Sequence, residues 1–289
     1  MRDYSKYPSF QYSSLRFFVL MLMATSLVGC NTIDLNQLGS IGESLQQAFV
    51  PADADDEKEI GDEAAAVLLG AAPVLKDAEL QKYVNRVGMW VALQSDRPDL
   101  PWRFAVLDDP DINAFAAPGG YVFITKGLLA RLHSEAELAG VLGHEVGHVV
   151  AKHHLNAIRK QARTRLVGMA ATQAMEQKGH DSEQIAALVS GAKTIYGKGL
   201  DRKDEYHADR LGVVYAARAG YDPYALPAVL QTLDRINPNS SELSLLFKTH
   251  PQPADRLEKL DGAMRGTLDK FKGLTGEKRF TAQLARLAR

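Results

Sequence analysis

The sequence contains one cysteine, Cys30, among 289 residues, so no disulfide can form within the chain. Neither charge is in excess: 34 Lys and Arg stand against 35 Asp and Glu, a formal net charge of −1. So weak a field gives no footing for a nucleic-acid partner. Past Cys30 no apolar run approaches the ~20 residues of a membrane-spanning helix, and no internal repeat or low-complexity tract is visible. What remains is 46% hydrophobic and 24% charged residues. That balance excludes a disordered chain and a polytopic membrane protein, and the length suffices for a sizeable core.

The N-terminus reads as an address. Arg2, Lys6 and Arg16 precede a mostly apolar stretch from Phe17 to Val28, and Gly29 and Cys30 follow. This is the order of a secretory signal, and Leu27-Val28-Gly29-Cys30 resembles the bacterial lipobox, whose cysteine is lipid-modified after cleavage. Residues 1–29 are therefore expected to be a lipoprotein signal peptide, with Cys30 the lipidated residue. Asn31, where Asp often retains lipoproteins at the inner membrane, favours the outer membrane. The expected location is the periplasm, on a lipid anchor.

Residues 30–56 read as a tether rich in Asn, Gln, Gly and Ser. Helical spacing then covers residues 57–69 and, from Asp77, Leu80, Val84, Val87 and Val91. Pro98 and Pro101 break it. Alternation from Trp102 to Leu107, extension from Ile112 to Ala117, the Pro118-Gly119-Gly120 turn and Tyr121 to Thr125 predict three short strands. The expected fold is α+β and predominantly helical, with a small antiparallel β-sheet. Its main domain would span 57–265, followed by a C-terminal helical tail, 266–289. The tail's basic residues fit a solvated amphipathic helix.

Ser134-Glu-Ala-Glu137 fits a capping box that opens a helix containing His144-Glu145-Val146-Gly147-His148. Residues four apart share a helical face, so both imidazoles can reach one ion, the HExxH arrangement of zinc hydrolases. Glu145 lies about 100° round the axis, placed to take a proton from a water beside the ion. Gly140, Gly143 and Gly147 each cost about 1 kcal/mol of helix propensity, which points to close packing against another backbone.

Two imidazoles leave the ligand set incomplete. His154 stands six residues after His148, but the segment after the motif can continue helically through Ala162, which leaves His153 and His154 facing solvent. Glu205 and Asp209 lie four apart on the next strongly helical segment. There Glu205 can ligate while Asp209 accepts the N–H of a ligating histidine. On spacing alone, an exposed acidic turn is the more ordinary reading of these two.

With Asn113-Ala-Phe-Ala-Ala-Pro-Gly-Gly120, Ala219-Gly-Tyr-Asp-Pro223 and Thr249-His-Pro251 followed by Arg256, these segments resemble the gluzincin metallopeptidases. That family contains the bacterial heat-shock protease HtpX and the CAAX prenyl endopeptidases. The resemblance runs over about residues 56–265 and is strongest to the soluble periplasmic lipoprotein members. It implies a zincin-type domain with one Zn2+ per chain on His144, His148 and Glu205, Asp209 behind them, and Glu145 as the catalytic base. It also implies His250 and Arg256 beside the metal as donors to the reacting oxygen, although in some relatives the corresponding His closes the fourth metal position instead. Asn113, Ala114, Phe115 and Ala116 correspond to an exposed edge strand to which an extended peptide can add. His207 stands where an acidic residue is frequent and is expected to be peripheral.

The implied function is a zinc endopeptidase acting on misfolded or extended cell-envelope proteins. The alternative is a chaperone or assembly factor for outer-membrane proteins with a latent protease site. Expected partners are unfolded chains, the membrane through the N-terminal lipid, and outer-membrane assembly machinery.

Overall fold

The computed structural model describes residues 52–171, 180–236 and 240–287; the expected signal sequence, Cys30 and most of the tether lie outside them. Asp53 opens α1 (Ala54–Ala71), its carboxylate accepting the Asp56 amide while that of Asp56 accepts the Asp53 amide. This reciprocal cap starts the helix three residues inside the expected tether. In α2 (Ala78–Ala92), Asp77 caps the amides of Glu79 and Leu80. Leu80, Val84, Val87 and Val91 form its buried face, as their spacing predicts.

The strands β1 (Arg103–Leu107), β2 (Ala114–Ala117) and β3 (Tyr121–Thr125) pair in the order β1-β3-β2. β2 and β3 are antiparallel, joined by a turn in which Gly119 and Gly120 adopt φ of 76° and 101°, a region that a β-carbon disfavours. β1 runs parallel to β3, so the sheet is mixed where an antiparallel one was expected. The cause is the 108–113 connection, which carries the chain across the sheet so that β2 lands on the far side of β3. β1's outer edge is closed by Gln81, whose side chain accepts the Val106 amide at 2.8 Å and donates to the Val106 carbonyl at 2.9 Å. β2 forms the other edge.

After α3 (Lys126–Leu129), α4 (Glu135–Val150) runs through the core, buried from Glu135 to Val149. The Ser134 hydroxyl accepts the Glu137 amide at 3.0 Å, but the Glu137 carboxylate accepts the His133 amide at 2.7 Å rather than that of Ser134. The expected box is thus displaced by one residue. α5 (His153–Ala171), α6 (His180–Lys198), α7 (Arg202–Arg218), α8 (Ala225–Asp234), α9 (Ser244–Thr249), α10 (Pro253–Met264) and α11 (Glu277–Leu284) complete the α-helices among the described residues. The glycines of α4 are used as their cost implied. A β-carbon on Gly143 would lie 2.9 Å from the Gly212 carbonyl oxygen, one on Gly147 3.1 Å from that of Ala208, and one on Gly140 3.0 Å from Leu226. α7 therefore lies backbone to backbone against α4.

The helix does not continue past the motif as expected. It ends at Val150, and Lys152 takes a left-handed φ of 57°, a conformation costing a side-chain-bearing residue about 1–2 kcal/mol. Lys152 Nζ is held 3.1 Å from the buried carboxylate of Glu57, which also takes both Arg97 nitrogens at 2.8 and 3.0 Å. Burial alone would raise the Glu57 carboxyl, but these two cations hold it below the usual range.

The tail's helix keeps its polar face exposed to solvent and docks through one apolar side chain. α11 buries Phe280 in the core, and Arg279 Nε donates to Glu135 at 2.6 Å. The hydroxyls of Tyr83 and Tyr221 donate to the same carboxylate, both at 2.8 Å. No helix among the described residues is long and apolar enough to cross a membrane.

Candidate metal centre

Helical spacing on α4 sets His144 and His148 side by side, their Nε2 atoms 3.0 Å apart. The close contact of α7 against α4 carries Glu205 to the same point: its Oε2 is 3.7 Å from His144 Nε2 and its Oε1 3.5 Å from His148 Nε2. His250, at the end of α9, brings its Nε2 to 3.7 Å from Glu205 Oε2. Among the described residues, one ligand atom from each of these four lies within 4.8 Å of the other three.

The hydrogen bonds behind the rings determine what the cluster can hold. His144 Nδ1 lies 2.9 Å from Asp209 Oδ1, His148 Nδ1 3.1 Å from His153 Nδ1, and His250 Nδ1 2.9 Å from the Thr249 hydroxyl. That hydroxyl donates to the Leu245 carbonyl at 2.9 Å, which leaves its oxygen to accept from His250. Each Nδ1 can thus carry the proton, so each Nε2 presents a lone pair to the cluster. Glu205 Oε2 is buried with no hydrogen-bond partner. Three lone pairs and a carboxylate converging in a buried space repel one another unless a cation lies between them. Around a tetrahedral ion bound at about 2.0–2.1 Å, ligand atoms stand about 3.3 Å apart, close to the spacings here. The residues fit a divalent metal.

The electrostatics agree. Burial pushes the Glu205 carboxyl well above its ordinary value and lowers His144, His148 and His250. Neutral imidazole is the ligating form. Burial alone would raise Asp209 too, but Arg256 and the His144 N–H hold it far below the usual carboxylate range. Glu145 is buried outside the ligand group and faces two cavities that meet the cluster. Burial raises its carboxyl to about 8.

The remaining expected residues divide. Arg256 Nε donates to Asp209 Oδ2 at 3.0 Å and its Nη2 to Oδ1 at 2.5 Å. Its guanidinium thus pins Asp209, with Nη2 also 3.3 Å from His144 Nδ1, and lines one of the cavities that Glu145 faces. The Asn113 carbonyl faces β3, accepting the Thr125 amide at 3.0 Å, so by alternation Ala114 and Ala116 point their backbone groups outward. Ala114 lines both cavities and Phe115 one of them. The outward Ala116 carbonyl already accepts the Tyr196 hydroxyl of α6 at 2.9 Å, a contact that no feature of the sequence announced. His153 and His154 do not face solvent: His153 is 7% exposed, and the His154 ring stacks on Tyr196 at 5.4 Å. The turn at Lys152 causes this, and lysine gives no turn signal. His207 is exposed.

The family model described as peptidase family M48 matches residues 76–264, a span holding all four clustered residues, Glu145 and Arg256. The beta-barrel assembly-enhancing protease of Escherichia coli is 31% identical over 205 residues, covering 70% of this chain and 42% of that protein. The mitochondrial metalloendopeptidase OMA1 of Arabidopsis thaliana is 31% identical over 184 residues, 63% of this chain and 36% of its own. The metalloprotease LoiP of Escherichia coli is 27% identical over 248 residues, 85% of this chain and 95% of its own. The chain spans less than half the length of the first two. With the family's match running through the whole cluster and most of the described fold, the chain belongs to peptidase family M48.

Proposed function

We propose that the chain is a zinc-dependent endopeptidase that cleaves extended or misfolded proteins of the bacterial cell envelope, tethered by a lipid on Cys30 to the outer membrane. The observation that carries the enzymatic reading is the pairing of the ligand cluster with Glu145. A carboxylate outside the ligand set faces the cavities beside three inward lone pairs and Glu205. A purely structural metal site has no use for it. Zinc is favoured by the donor set of imidazoles and one carboxylate. The envelope setting is supported by the signal-like N-terminus and by the likeness to the beta-barrel assembly-enhancing protease.

His144, His148 and Glu205 would hold the zinc, which when bound would supply Lewis acidity towards a peptide carbonyl and a water molecule. Glu145 takes the proton of the attacking water and returns it to the leaving amine, and the charge of a nearby cation favours its ionised form. Asp209, clamped by Arg256, fixes the His144 tautomer. Ala114 and Ala116 offer outward amide and carbonyl groups to an extended substrate, so recognition reads backbone more than side chains. The apolar cavity that reaches Glu145 past Leu128, Val141 and Val229 suits one apolar substrate side chain.

A second reading is favoured by two contacts. His250 supplies a fourth ligand where catalysis needs an open position, and Tyr196 occupies the Ala116 carbonyl. These contacts support the reading of a latent protease at rest, as in a chaperone or assembly factor that cuts on occasion. The test is metal content and cleavage of unfolded casein by the purified protein, its Glu205→Gln variant and its His250→Ala variant. Stoichiometric zinc and chelator-sensitive cleavage in the parent, both lost in Glu205→Gln, support the enzyme. Faster cleavage by His250→Ala supports latency, slower cleavage a direct role for His250. Full zinc occupancy in Glu205→Gln contradicts the ligand set.

A further inference from the structure

His148 is backed by an imidazole, where a carboxylate, carbonyl or water is the usual partner of a metal-binding histidine. The placement depends on the chain break after α4. In a continuous helix, His153 would stand about 140° round the axis from His148 and face away. The left-handed residue Lys152 instead turns α5 back, bringing the two rings to 5.1 Å between centroids and their Nδ1 atoms to 3.1 Å. An unfavourable backbone conformation is held there by the Lys152–Glu57 ion pair.

The proton inventory fixes the direction of that contact. With His148 Nε2 facing the ligand cluster, its hydrogen sits on Nδ1, so His153 Nδ1 must accept it. His153 then carries its own hydrogen on Nε2, which lies 3.2 Å from His207 Nδ1, with Asp204 Oδ1 3.9 Å away. His207 is exposed. Three imidazoles therefore run from the cluster to the surface, each holding the tautomer of the one before it.

We propose that His153 is a positioning residue for the metal ligand His148, fixing its tautomer and ring orientation, and that His207 fixes His153 in turn. The inference rests on the metal-centre reading above. It gives His207 a duty at the outer end of the chain.

The test is zinc affinity, measured by competition with a chromophoric chelator, for the full chain and for His153→Asn, His153→Gln and His153→Phe. Asparagine places an acceptor where Nδ1 stands, glutamine nearer to Nε2, and phenylalanine keeps the ring without an acceptor. Phenylalanine should weaken zinc binding about 10–100-fold, glutamine nearly as much, and asparagine should recover most of the loss. The Co2+-substituted absorption spectrum should shift in the same order. A merely structural role would lower the melting temperature of the metal-free protein and leave zinc affinity alone. Equal affinity in parent and His153→Phe overturns the proposal. So does equal affinity in His153→Asn and His153→Gln, a comparison that stands even if His153→Phe does not fold. A parent that takes up no zinc overturns the metal-centre reading and this inference with it. A zinc-loaded parent with indifferent His153 variants overturns this inference alone.

Discussion

A β-carbon on Gly212 would come within 2.6 Å of the His144 amide nitrogen. That proximity joins the proposed ligands of α4 to the one proposed on α7, because Glu205 lies two turns before Gly212 on a helix that can approach no closer.

Gly212→Ala should therefore act on the metal through the backbone. Overpacking costs about 1–3 kcal/mol and moves Glu205 away from the imidazoles. The expected result is a lower melting temperature together with a zinc affinity about tenfold weaker or worse, read by chelator competition. Destabilisation with unchanged zinc affinity would mean that the helix contact does not set the site.

Tyr196→Phe should release the edge of β2. The lost hydrogen bond to the Ala116 carbonyl, worth about 1 kcal/mol, no longer competes with an extended substrate. KM for an unfolded peptide should fall about fivefold with kcat little changed. An unaltered KM would argue that substrate does not add to this strand.

Acid should undo the anchor of α11. Burial alone would raise the Glu135 carboxyl, but Arg279, Tyr83 and Tyr221 hold it below its ordinary value of 4.5. A depressed carboxyl contributes stability that is present above the unfolded value and lost as pH falls through the folded one. Glu135→Gln should therefore be less stable than the parent at pH 7, by about 2 kcal/mol. That gap should hold down to the ordinary value and close in stronger acid, measured by urea unfolding across the range. A gap that stays constant in strong acid would contradict this account of Glu135.

The legible parts of the chain were those governed by local periodicity. His144, Glu145 and His148 follow from spacing on one helix, as does the buried face of α2. The glycines at 140, 143 and 147 announced a backbone contact, though not which helices would supply it. Glu205 and Asp209 needed the resemblance, because an acidic pair beside Arg202 and Lys203 looks like solvated surface. The parallel pairing of β1 with β3 was not legible, since a six-residue connection between strands fixes neither side nor direction. The bend at Lys152 was hidden because Glu57, far away in sequence, stabilises it. The docking of α11 depends in the same way on a remote partner, Glu135.

The most direct test of the central claim is Glu145→Gln, read in two channels at once: zinc content and the rate of casein cleavage. Glu145 lies outside the group that could hold a metal; with the proposed role of base, its loss should leave zinc content unchanged while cleavage falls about 10²–10⁴-fold. Full zinc with undiminished cleavage would contradict the assignment of Glu145 as the catalytic base.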